Sequence, residues 1–220
     1  MRNIIIYCII LVLLTAQIGF TQNFNFIGSG ARARGMGGAF IGVADDATAV
    51  TWNPAGLARL EQPEASIVGL LESYSVDTDN SDYDTDARKS SHFTLNFVSA
   101  AFPLALSNRN LVAALAYHQV LDLYSKYETD YRTEEQTGGV YAITPAIGLQ
   151  LTPTLVIGAS VNIFTGTAVY TNEPEFSEKT ETEYTYSGTN FNLGAILDLD
   201  KLRLGVVYKT PFDLNEKIEE

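Results

Sequence analysis

The stretch Tyr141-Ala142-Ile143-Thr144-Pro145-Ala146-Ile147-Gly148-Leu149-Gln150-Leu151 decides the fold. Tyr141, Ile143, Ile147, Leu149 and Leu151 share one parity, and Ala142, Thr144, Ala146, Gly148 and Gln150 share the other. A strand has a side-chain period of two, so one face is bulky and apolar and the other small or polar. The next stretch repeats this: Leu155, Ile157, Ala159, Val161 and Ile163 oppose Gly158, Ser160 and Asn162. Phe191, Leu193, Ala195 and Leu197 oppose Asn190, Asn192 and Gly194, and Leu202, Leu204, Val206 and Tyr208 oppose Arg203, Gly205 and Lys209. Towards the N-terminus, Phe93, Leu95 and Phe97 oppose Thr94 and Asn96, and Leu111, Ala113, Leu115 and Tyr117 form another apolar face. Residues 67–74 alternate without a clear phase.

Such a pattern suits a soluble sandwich or a membrane barrel, and three features select the barrel. Several segments reach the ~9–11 residues that cross a bilayer when tilted, against ~5–6 in a soluble strand. The small face is rich in Gly, Ala, Asn and Ser, as a bore facing water or a plug requires. The connections alternate: residues 76–91, 122–139 and 166–183 predict long outer loops, while 103–109, 152–154 and 198–201 predict shorter turns. Outer-membrane barrels sort their loops in this way. The expectation is an all-β, antiparallel transmembrane β-barrel of about seven strands over residues 64–220. Fewer than eight strands and an acidic end at Glu220 make this read as the N-terminal half of a barrel.

Export signals agree with an outer-membrane location in a Gram-negative-type bacterium. Met1-Arg2-Asn3 is a short basic segment, residues 4–14 form an apolar run, and small residues follow. This predicts a signal peptide over residues 1–21, cleaved after Thr21, with Gly19 at the −3 position, or after Ala16 as the alternative, since the run is too short for a membrane helix. The only cysteine, Cys8, lies inside it, leaving no disulfide or thiolate site beyond. A net charge of −12 argues against nucleic acid, which needs a basic footprint.

Residues 22–63 are rich in glycine and alanine and do not alternate. Gly28, Gly30 and Ala33 match a dinucleotide fingerprint in spacing, but no buried strand precedes them and Gly35, Gly37 and Gly38 disfavour a following helix. The run Gly30-Ala31-Arg32-Ala33-Arg34-Gly35-Met36-Gly37-Gly38-Ala39-Phe40, then Ala44-Asp45-Asp46-Ala47, then Trp52-Asn53-Pro54-Ala55-Gly56-Leu57, resembles the start of FadL/TodX-type transporters of long-chain fatty acids and hydrocarbons. That resemblance implies an N-terminal plug, or hatch, folded inside the barrel over residues 22–63. It implies hatch or gate roles for Gly35, Gly37, Gly38, Asn53, Pro54 and Ala55. It also implies passive diffusion of fatty acids or hydrocarbons into the outer-membrane lipid, with Phe24, Phe26, Phe40, Arg203 and Lys209 as candidate ligand contacts. The same motifs are similar to the PorV/PorQ-type barrels, which implies, as an alternative, an interaction protein that holds secreted partners.

Other chemistry is sparse. Asp77, Asp79, Asp82, Asp84 and Asp86 form an acidic run that lacks the glycine and glutamate spacing of a calcium loop. His92 and His118 have no nucleophile or metal-spaced partners, so neither a catalytic residue nor a metal or other cofactor is expected. Asp45 and Asp46 are placed to cap a short helix or to pair with Arg32 or Arg34.

Overall fold

The fold is that of a computed structural model, which describes residues 28–76, 88–106, 109–129, 131–211 and 215–219. The predicted signal peptide, Phe24, Phe26 and the acidic run from Asp77 to Asp86 lie outside the described residues.

One antiparallel sheet dominates. It contains β1 (Glu64–Val76), β2 (Arg88–Leu106), β3 (Arg109–Asp122), β4 (Ser125–Thr129), β5 (Arg132–Gln150), β6 (Leu155–Pro174), β7 (Thr180–Leu199), β8 (Leu202–Lys209) and β9 (Asn215–Glu219). The order is β1-β2-β3-β5-β6-β7-β8. β4 continues the line of β3 along β5, and β9 continues the line of β8 along β7. The nine pieces therefore make seven strand lines, curled into half a barrel. Every pairing is between antiparallel neighbours, as hairpin connections dictate.

The two faces are sorted inside out relative to a soluble protein. Ala142, Thr144, Ala146, Ser160, Asn162, Asn190 and Asn192 are buried on the concave face. Ile143, Ile147, Ile163, Phe191, Leu193, Leu204 and Val206 stand exposed on the convex one. A continuous belt of such side chains exceeds the apolar patch a soluble monomer tolerates, and lipid is the solvent that removes the penalty. Tyr117 and Tyr141 stack on this face, with centroids 5.5 Å apart.

The sheet departs from the simple alternation in two places. The β1–β2 register shifts between Val68 and Gly69, so that Gly69 pairs with Leu95 and Asn96 is the extra residue. A bulge of one residue inverts the phase beyond it. Phe97 consequently turns inward and is fully buried, not outward with Phe93 and Leu95. A second shift, between Gln119 and Leu121, brings Gln119 and Val120 inward together.

The expected long loops at 122–139 and 166–183 are largely strand. β5, β6 and β7 run for 19, 20 and 20 residues, roughly 65 Å at ~3.3 Å each, well beyond a membrane crossing. Above Tyr141, Ile163 and Phe191 the outward positions change to Thr137, Thr165, Thr167, Thr185, Ser187 and Thr189, which are exposed. Threonine keeps β-propensity without apolar cost to water, so the sheet continues past the lipid. The turns at the other end are short: Thr152 caps its turn through bonds from the Thr154 and Leu155 nitrogens to its Oγ1.

Residues 28–63 form no strand. They contain α1 (Ala31–Gly35), α2 (Ala49–Trp52) and a 3-10 helix (Pro54–Arg59), and they lie against the concave face. No helix among the described residues is long and apolar enough to cross a membrane.

Candidate functional site

The site is the contact between the 3-10 helix and the sheet beneath it. Asn53 starts that helix in an extended conformation, and its Oδ1 accepts from the Ala55 nitrogen. Pro54 at the first helical position loses no bond, because its missing N–H would have no intrahelical partner. Asn53 Nδ2 donates to the Ile41 carbonyl at 2.9 Å and to the Ala195 carbonyl at 3.3 Å. One fully buried amide thus joins the helix start, an earlier plug loop and β7.

The sheet meets this backbone with glycine. Gly148, Gly158 and Gly194 are direct partners across β5, β6 and β7, and Gly205 on β8 lies opposite Ile196, two residues from Gly194. A methyl at Gly148 would sit 2.6 Å from the Ala58 nitrogen, and one at Gly205 2.6 Å from Gly42 Cα. At Gly158 it would overlap the backbone of Pro54 and Ala55, and at Gly194 the amide of Asn53. These glycines are needed because main chain approaches main chain. On the plug side, Gly56 is held as closely against the Ala44 carbonyl.

Polar contacts fasten the rest. Asn110 Nδ2 on β3 donates to the Ala58 and Leu60 carbonyls at 2.9 and 2.7 Å, satisfying the C-terminal end of the helix. Arg59 and Arg203 both pair with Asp198 beside the tight turns. The Ala47 nitrogen donates to Glu64 at the start of β1, and Trp52 Nε1 donates to the Ser29 carbonyl. Asp46 Oδ1 accepts from the nitrogen and hydroxyl of Thr48 just ahead of α2. Arg32 pairs with Asp45 and Asp46, and the hydrogen bond and charge of Asp45 hold its guanidinium further above its ordinary value.

Above the seat, side chains cross the strands. His118 Nε2 meets the Thr144 hydroxyl at 3.1 Å, Thr144 donates to Asn162 at 2.8 Å, and Asn162 donates to Asn190 at 2.6 Å. Asn192 donates to Ser160 at 3.1 Å, while its own Oδ1 makes no hydrogen bond. The chain of bonds crosses the point where the β5–β6 ladder lapses at Thr144 and Pro145, resuming in the same register at Ala146. Pro145 has no N–H to give, and the Thr144–Asn162 bond bridges the interval.

The predicted site residues separate into groups. Asn53, Pro54 and Ala55 are buried at the seat. Gly35 and Gly37 are exposed on the far side of the plug, and Gly37 and Gly38 turn the chain at φ 63° and 81°. Phe40 is fully buried, edge-on to Trp52, and so packs the plug instead of presenting a ligand surface. Arg203 is paired to Asp198 and is no free cation for a carboxylate. Lys209 faces the interior beside Asn192. Among the described residues no His, Cys, Asp and Glu group is arranged to hold a metal. The glycine row escapes sequence reading because its members are 10 to 36 residues apart in pairs, and their alignment appears only once the register is known.

A cavity of about 500 Å³ opens at the tight-turn end, lined by Arg59, Glu61, Asn110, Gln150 and Asp198 among others. Its lining is mainly polar, unsuited to an acyl chain. A family model described as BamG matches residues 1–220. No curated protein and no solved structure matches the chain. The family match overturns the resemblance to FadL/TodX transporters and the PorV/PorQ alternative. With them fall fatty-acid and hydrocarbon transport, those small-molecule partners, and the secreted partner of the alternative. An outer-membrane-associated location stands, in keeping with the exposed apolar belt. The chain belongs to the BamG family.

Proposed function

We propose that this chain works with the outer-membrane β-barrel assembly machinery, as a membrane-embedded component that supports the assembly of other outer-membrane proteins. The family match over all 220 residues carries the reading. The plug supports it: its 3-10 helix is locked by main-chain contact to β5, β6 and β7 and by the bonds of Asn53 and Asn110. A plug seated in this way serves as a keystone that fixes the shape of the half-barrel, leaving the surfaces that face outward to do the work. The role requires no reaction, and no catalytic group is assigned.

Depletion of the protein tests this. Unrelated outer-membrane barrels should then accumulate in their unfolded, heat-insensitive gel form, and tagged protein from detergent extracts should carry assembly-machinery subunits. Normal barrel assembly on depletion, with no machinery subunit recovered, would overturn the reading.

A further inference from the structure

The part of the sheet beyond the lipid ends in two turns that lie side by side. The β4–β5 turn carries Tyr131 and the β6–β7 turn carries Phe176. Arg132 pairs with Pro174, and the Glu175 nitrogen donates to the Tyr131 carbonyl at 2.9 Å. Tyr131 is 69% exposed and Phe176 85% exposed. An exposed aromatic ring on its own needs no explanation, but two on adjoining turns at the summit of a sheet do.

Their surroundings narrow the partner. Glu128, Glu173, Glu175 and Glu178 border the turns, against Lys126, Arg132 and Lys179. These cations are already engaged, Lys126 with Glu128 at 3.8 Å, Arg132 with Glu134 at 2.8 Å and Lys179 with Glu181 at 2.6 Å, which leaves Glu173, Glu175 and Glu178 in excess. The summit is therefore two apolar rings with an acidic border. An anionic lipid surface repels such a border, whereas a protein pocket that is apolar within and basic at its rim complements it. Buried aromatic anchors with a charged rim are the usual energetic core of a protein contact. The strands hold the summit roughly 30 Å along the chain from Tyr141 and Ile163, at ~3.3 Å per residue over about ten residues. That reach places it clear of the membrane, at the end of the sheet opposite the tight turns at 152–154 and 200–201.

We propose that Tyr131 and Phe176 are a docking summit for a protein surface bearing an apolar pocket rimmed by Lys and Arg, on the outward side of the assembly machinery. This rests on the functional reading above and names the contact surface it would use. The rings fill the pocket and supply affinity, and the glutamates steer the approach.

The test uses the full-length protein in cells. Benzoylphenylalanine placed at 131 or at 176 should photo-cross-link to the same machinery subunit, and the same probe at Thr185, on the open face lower down, should not. The double variant Tyr131→Ser with Phe176→Ser should recover about tenfold less of that subunit while its barrel still shows heat-modifiable migration. Four results would overturn the inference: cross-links only to lipopolysaccharide, cross-links only to a second copy, equal cross-linking from 185, or unchanged recovery by the double variant. Unchanged recovery would leave the functional reading standing. Failure of the unaltered protein to bring down any machinery subunit would remove both.

Discussion

The lower half of the sheet and its upper extension use the same strands but are held by different forces. Around the 3-10 helix, β5 to β8 offer glycine, and plug main chain sits directly on strand main chain with Asn53 sealed at its centre. In the extension no helix among the described residues packs on the sheet. Its exposed threonines and paired charges, such as Lys126–Glu128 and Lys179–Glu181, touch only near neighbours. A close-packed contact fails when one atom is added, whereas a solvated one absorbs the change. The molecule thus joins a rigid, exactingly packed base to a tolerant exposed summit. Between them lies a glycine-rich band, Gly138, Gly139 and Gly166, with Gly138 at φ 100° and its carbonyl bonded to the Leu123 nitrogen where β3 gives way to β4.

The largest expected effect comes from Gly158→Ala. The added methyl meets the Pro54 and Ala55 backbone, which cannot rotate aside as a side chain would. The plug must lift from its seat or the sheet must flatten, with overpacking costs of about 3 kcal/mol or more. The yield of heat-modifiable protein in the outer membrane should fall sharply. Thr185→Val, in the extension, should leave that yield unchanged. Equal yields for the two variants would break the contrast between base and extension.

Asn53→Ala should follow in size. It leaves the partly buried Ile41 and Ala195 carbonyls and the buried Ala55 nitrogen without this partner. Each orphaned group costs ~1–3 kcal/mol, so about 3 kcal/mol is expected in the urea unfolding of protein refolded into vesicles. Asn53→Asp keeps the acceptor and loses both donations. It should be no better than alanine, because a carboxylate would face two carbonyl oxygens.

Asp198→Ala should cost less, about 1 kcal/mol, because the Arg59–Asp198–Arg203 cluster is partly open to water. Added salt should shrink the difference between this variant and the unaltered protein. A cost as large as that of Asn53→Ala would show that charge, and not close packing, holds the plug.

Much of this architecture was legible in the sequence, and the reasons differ by region. The faces of β5 to β8 followed from period-two alternation, because lipid on one side and plug on the other impose opposite chemistry on neighbouring residues. Phe97 did not follow, since a one-residue bulge at Asn96 depends on pairing with β1 and leaves no local mark. The extension reads as loops in the sequence because Glu and Thr there resemble solvated connections. Only cross-strand pairing shows that they alternate in register, as Thr167 with Thr185 and Gly139 with Thr167 do. The family resemblance misled for a related reason. Gly-Met-Gly-Gly and Asn-Pro-Ala solve the problem of laying a chain against the inside of a sheet, through turns, a fixed φ and a bridging amide. Those residues carry backbone geometry and say nothing about cargo.

The smallest expected effect lies in the extension, at Tyr170 and Glu134. The two are diagonal neighbours on β6 and β5, since Gln136 pairs with Tyr170 and Glu134 with Asn172. The hydrogen bond from the phenol to Glu134 raises the Tyr170 pKa above its usual 10, with slight desolvation and the carboxylate charge adding to it. A pKa raised on folding contributes stability that is complete below the unfolded value and is lost as pH climbs through the folded one. This contact should therefore be indifferent to pH near neutrality and weaken above about pH 10. Glu134→Gln should bring the Tyr170 ultraviolet titration back towards that of an ordinary phenol, while urea unfolding at neutral pH stays unchanged. The pair is open to solvent, so the effect should be confined to local hydrogen exchange in β5 and β6. A shift in the unfolding of the plug on this substitution would show that summit and base are coupled through the glycine band. The separation drawn between a rigid base and a tolerant summit would then have to be given up.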